Sequence, residues 1–123
     1  MEALKFINDE MEALDIFYEY GEWGADVVYP YFVGEFTEEP TTTEDGAEQS
    51  TLILTGFNRG SFLDLLTIKE KIKEHFNPIY GLRAKLDGGA IAVFFDSSFF
   101  IPSGEAELKK IQINLTIKEW KGA

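Results

Sequence analysis

Ile111-Gln112-Ile113-Asn114-Leu115-Thr116-Ile117-Lys118 decides the fold. Apolar and polar side chains alternate without a break along this run. A period of two marks a strand with one face in a core and the other toward water. A wet face fits an antiparallel sheet, because parallel sheets are covered on both sides and read as continuous apolar runs.

Upstream of that strand, Ala90-Ile91-Ala92-Val93-Phe94-Phe95 reads as a second, mostly buried strand. Leu82, Ala84 and Leu86 alternate with Arg83, Lys85 and Asp87 in a third. Asp87-Gly88-Gly89 between them predicts a tight hairpin, since glycine accepts the positive φ such turns need. Residues 96–104, with Ser97-Ser98 in a turn and Phe99-Phe100-Ile101-Pro102 beyond it, read as an irregular apolar link.

The middle of the chain holds the clearest helix. Ser61 is placed to cap it, and Asp64 adds negative charge where the helix dipole favours it. Leu65, Ile68, Ile72 and Phe76 form its buried stripe, widened by Leu66, and Pro78 ends it. Ahead of the helix, Thr51-Leu52-Ile53-Leu54-Thr55-Gly56-Phe57 is rich in β-branched residues and reads as a strand. Strand character also runs from Val27 through Val33, with Pro30 forcing an edge position or a bulge. Ile16-Phe17-Tyr18-Glu19-Tyr20 predicts one more strand, and Leu4, Ile7, Met11 and Leu14 predict an amphipathic helix ending near Asp15.

The expected order is α-β-β-β-α-β-β-β. Strands come in antiparallel runs, not in strict alternation with helices. The class is therefore α+β, a mostly antiparallel sheet with helices packed on one face. At 123 residues the chain is read as a single domain, 1–123. Its 45% hydrophobic content supports one core of ordinary size.

Residues 37–50 stand apart. They carry five acids, Glu38, Glu39, Glu44, Asp45 and Glu48, and no large apolar side chain. Hairpin loops run roughly 2–5 residues, so a long acidic loop here exceeds what joining two strands requires. These five acids are interface candidates. Tyr29 and Tyr31 are two more, because one face of a small sheet cannot hide all 18 aromatic residues, and exposed aromatics anchor interfaces.

Charge adds a second asymmetry. The net charge is −11, which argues against a broad grip on nucleic acid or sequence-specific binding to it. Residues 1–58 hold one base, Lys5, against 14 acids, while residues 59–123 hold 10 bases against 8 acids. A molecule with an acidic part and a mildly basic part is suited to meet copies of itself head to tail. The absence of a basic leader and of a long apolar run predicts neither secretion nor a membrane span.

No catalytic group is expected. His75 is the only histidine and there is no cysteine, which leaves no thiolate site and no histidine pair for a transition metal. His75 is placed in the last turn of the second helix, where a partly cationic ring favours the exposed carbonyls. Glu44-Asp45-Gly46-Ala47-Glu48 lacks the alternating ligand register of a calcium loop. Gly88-Gly89 belongs to a hairpin, with no Lys-Ser/Thr after it to make a phosphate loop. Neither an enzymatic function nor a cofactor is expected.

Several of these segments together resemble a family. An opening helix is followed by Tyr29-Pro30-Tyr31-Phe32-Val33, a long polar stretch and Leu52-Ile53-Leu54-Thr55. A single helix then carries Ile68-Lys69-Glu70-Lys71-Ile72, and Lys109-Lys110-Ile111-Gln112-Ile113-Asn114-Leu115 leads the closing strand. In order and character of elements, nearly the whole chain resembles the small tail-completion, or tail-terminator, proteins of long-tailed bacteriophages and prophages.

The resemblance implies a structural virion protein made in the host cytoplasm and built into the virion tail. It implies a homo-oligomeric ring, commonly hexameric, at the head-proximal end of the tail. The implied partners are the tail tube protein and the head-closure or neck protein. Two alternatives stand beside it: a neck or head-closure component, and a small binding domain with an aromatic pocket for a ligand or peptide.

Overall fold

A computed structural model describes residues 2–21, 28–37, 41–42, 46–86 and 88–121. The elements are α1 (Glu2–Ala13), β1 (Tyr18–Tyr20), β2 (Tyr31–Phe36), β3 (Thr41–Thr42), β4 (Glu48–Arg59), α2 (Phe62–His75), β5 (Leu82–Leu86), β6 (Gly89–Ile101) and β7 (Leu108–Lys121). The expected α+β class and element order hold, with the two-residue β3 added.

One sheet runs β1-β2-β4-β7-β6-β5, and β3 pairs with β4 beside β2. Only the β1–β2 pair is parallel; the others are antiparallel. β4 and β7 form the spine, paired from Glu48 opposite Glu119 to Arg59 opposite Leu108. Alternation along β7 therefore sets the faces of the whole sheet: Ile111, Ile113, Leu115 and Ile117 are buried, and the residues between them are half-buried.

Both helices lie on the face that carries these four side chains. Ala3, Ile7 and Met11 of α1 and Leu65 and Ile72 of α2, with Phe76 just beyond it, are fully buried in one cluster with Phe32, Leu52, Leu54 and Val93. Each large aliphatic side chain so buried contributes roughly 1.5–3 kcal/mol. Leu66, expected to widen the α2 stripe, is instead 36% exposed. Ser61 caps α2 as expected, its hydroxyl accepting from the Leu63 N–H at 3.0 Å.

Four expectations need correction. β2 begins only at Tyr31, after the cis Tyr29–Pro30 peptide, and Val28 is an exposed residue outside any strand. Within the stretch read as a 37–50 loop, β3 and the first residues of β4 pair as strand, Thr41 opposite Gln49 and Thr42 opposite Glu48. β1 starts at Tyr18 rather than Ile16. The irregular link at 96–104 is largely strand: β6 continues to Ile101, with Ser97 and Ser98 in the ladder instead of a turn. A bulge between Phe95 and Ser97 shifts the register there. One extra residue breaks the period-two pattern that sequence reading relies on, while pairing continues on both sides.

Candidate assembly interface

The second face of the sheet has no described element packed on it. Its residues follow from the register, because side chains alternate along every strand. One row runs Tyr31, Phe57, Lys110, Ile101, and the next runs Val33, Thr55, Gln112, Phe99. Farther along, Gln49, Lys118, Ala92 and Arg83 form a row, and Trp120, Ala90 and Lys85 form the last.

On β4, β7, β6 and β5 this face carries Arg59, Lys110, Lys118, Arg83 and Lys85, and no described acid in the paired positions. Among the described residues in paired positions, the acids of the face, Glu35 and Glu19, sit on β2 and β1. In a chain with 22 acids and 11 bases, such sorting separates charge by face. It sets up a local positive field on an acidic molecule.

One end of the face holds a run of rings. The centroids of Tyr29 and Tyr31 are 5.6 Å apart, and those of Tyr31 and Phe57 are 4.9 Å apart with planes 18° from parallel. A cation sits against each end. The Arg59 guanidinium carbon lies 5.5 Å from the Tyr29 centroid, and Lys110 Nζ lies 5.4 Å from that of Phe57. Ring pairs add about 0.5–1.5 kcal/mol beyond buried area, and exposed cation–ring contacts about 0.5–1 kcal/mol.

The electrostatics agree with that arrangement. The hydrogen bond with Tyr29, and then its nearby charge, hold the Arg59 guanidinium above its ordinary value. Burial first, and Tyr29 second, push the Tyr31 hydroxyl up. Tyr31 stays neutral and Arg59 stays charged near pH 7. The patch is thus a preformed apolar ladder with a fixed positive charge at each end, suited to holding a partner's aromatic and carboxylate groups.

Of the residues singled out from sequence, Tyr29 and Tyr31 are brought together here. Glu48 is not. It lies nine positions from Phe57 along β4, about 30 Å at strand rise, and at a register position on the helix-bearing face. Glu38, Glu39, Glu44 and Asp45 lie outside the described residues. Sequence reasoning missed Phe57, Arg59 and Lys110. The alternation of β4 and β7 places them on the wet face, but pairing Phe57 with Lys110 requires a register between segments 53 positions apart.

Among the described residues, no three histidine or acidic side chains converge to hold a metal ion. No described helix is long and apolar enough to cross a membrane. No protein-family model matches this chain, and no curated protein is significantly similar to it.

Proposed function

We propose that this chain is a structural assembly protein of the tail-terminator type. It forms a homo-oligomeric ring, commonly hexameric in such proteins, at the head-proximal end of a long phage tail. There it joins the tail tube protein to the head-closure protein and remains part of the virion.

The observation that carries this reading is the chemistry of the sheet's second face, on which no described element packs. A small domain that keeps an aromatic ladder and five bases on one side, against a net charge of −11, is built to meet another surface. Joining subunits needs shape, apolar anchors and complementary charge, and makes or breaks no covalent bond.

The test is a joining assay. Tails assembled without this protein should fail to join filled heads, and adding the purified protein should restore infectious particles. Tyr31→Ala with Phe57→Ala should fold and self-associate yet restore joining at least about tenfold less well, because central aromatic anchors carry most of an interface's energy. Tails that join heads equally well without the protein would remove this reading.

A further inference from the structure

The two edges of the sheet differ in chemistry as sharply as its two faces. β1 is one edge and β5 the other, about 24 Å apart at the usual strand spacing. Among the described residues each pairs on one side only, so each presents unpaired backbone groups outward.

At the β1 edge, two large aromatics stand in the open: Phe17 is 52% exposed and Tyr20 is 45% exposed. Near Phe17 are Glu12 and Glu19, both exposed; Asp15 is exposed too, with the Lys71 ammonium on the neighbouring Leu14 carbonyl. Phe17, Glu12 and Glu19 border a shallow cleft where α1 meets β1.

Beside the β5 edge, reaching across β6 to Trp120 of β7, the chemistry is inverted. A cavity of about 450 Å³ is lined by Arg83, Ala84, Lys85, Ala90, Ile91 and Trp120. Its floor is apolar, and its described charged groups are both cations. Beside it Ile79 and Tyr80 are 74% and 72% exposed, an apolar rim on the turn that leads into β5. Arg83 Nε donates to the Tyr80 carbonyl at 3.3 Å, which ties the guanidinium to that rim.

One edge thus offers an aromatic knob flanked by two carboxylates, and the other offers an apolar hollow flanked by two cations. We infer that copies of this chain join edge to edge, the β1 edge of one seated on the β5 edge of the next. Phe17 enters the hollow beside Trp120, and Glu12 and Glu19 face Arg83 and Lys85. The contact joins unlike surfaces, so it is heterologous, and repetition gives a closed ring or an open stack. A second copy fits better than a nucleic acid, because the same molecule supplies the complementary acids and its net charge of −11 repels a polyanion. The edge contact makes no use of the ladder of Tyr29, Tyr31 and Phe57. It rests on the assembly reading above and names the surfaces that reading needs.

Charge reversal tests it. Arg83→Glu with Lys85→Glu, and separately Glu12→Lys with Glu19→Lys, should each weaken self-association at least about tenfold in sedimentation equilibrium, with unchanged circular dichroism. An equimolar mixture of the two variants, or one chain carrying all four substitutions, should recover the loss, since opposite charges face each other again. Phe17→Ala, which changes no charge, should weaken association to a similar degree. Wild-type protein that assembles while these variants assemble equally well would overturn the edge contact and leave the assembly reading standing. Loss without recovery in the mixture and in the four-substitution chain would also overturn it. A wild-type chain that stays monomeric at every concentration, alone and with tail tube present, would overturn both.

Discussion

His75 Nε2 lies 2.9 Å from Glu10 Oε2, joining two helices whose contacting residues are 65 positions apart in sequence. Both side chains are about one-quarter exposed, so the pair is shielded from water without being sealed from it. The Lys71 ammonium adds a second tie, donating to the Leu14 carbonyl at the end of α1. His75→Ala should therefore lower unfolding free energy by about 1 kcal/mol. A double-mutant cycle of Glu10→Gln and His75→Gln should return a coupling of at least about 0.5 kcal/mol. Additive losses in urea titrations would show that the two side chains only pass close to one another.

Tyr18 offers a different kind of test. Its hydroxyl is buried with no hydrogen-bond partner among the described residues, and it lies where a β-carbon on Gly34 would stand, 2.5 Å away. Burial, reinforced by Tyr20 and Glu19, pushes its pKa up from 10.0 to about 12. The fold thus favours the protonated form, whereas the unfolded chain ionises near pH 10. Stability should fall as pH rises between the unfolded and folded values, and level off above about 12. Tyr18→Phe removes the unpaired oxygen and keeps the ring. It should raise stability at neutral pH by up to about 1 kcal/mol and flatten the alkaline slope. A variant less stable than wild type would mean that the hydroxyl has a partner after all.

How much of this was legible in the sequence depends on range. The alternation of Ile111, Ile113, Leu115 and Ile117 gave the sheet and its antiparallel character, and the Ser61 cap gave the start of α2, because both signals lie within a few residues. The extension of β6 to Ile101 was hidden, because the bulge after Phe95 moves the apolar residues out of phase. The site was half visible. Tyr29 and Tyr31 were recognisable as surplus aromatics, but Phe57, Arg59 and Lys110 join them only through a register that no local pattern encodes. The unlike edges were hidden for the same reason: no local signal puts Trp120 beside Lys85.

Gly56 marks a second tight point of the core. A β-carbon there would come within 2.5 Å of the Phe32 ring and 2.9 Å of Ile111 Cγ2. Phe32 is fully buried and sits opposite Gly56 across the β2–β4 pair, so its ring lies over the glycine and has no room to retreat. Gly56→Ala should cost about 1–3 kcal/mol through overpacking, although alanine in a strand would otherwise be favoured over glycine. Pairing it with Phe32→Leu, which vacates part of the ring's space, should recover some of the loss. Thermal melts of the single and double variants measure both terms. A neutral single substitution would show that the strand can shift to accept the methyl group.

Asn58 is the one buried polar side chain among the described residues, 3% exposed, and it fixes the start of α2 to the end of β4. Its Nδ2 donates to the Ser61 carbonyl at 2.8 Å and to Asp64 Oδ2 at 3.3 Å, so a single amide serves both the cap residue and the first helical turn. Asn58→Ala leaves both acceptors without this donor and should cost about 1–3 kcal/mol. Asn58→Asp keeps the size and shape but removes the donor and sets a buried carboxylate against Asp64. Like charges and desolvation both oppose the ionised form, so the introduced carboxyl should titrate above the ordinary aspartate value. At pH 7 Asn58→Asp should therefore be the less stable of the two variants. It should regain stability relative to Asn58→Ala as pH falls toward about 4, where protonation restores one donor. Chemical denaturation at pH 7 and at pH 4 compares them directly. If Asn58→Asp matches wild type at pH 7, the amide is not what holds the helix start in place.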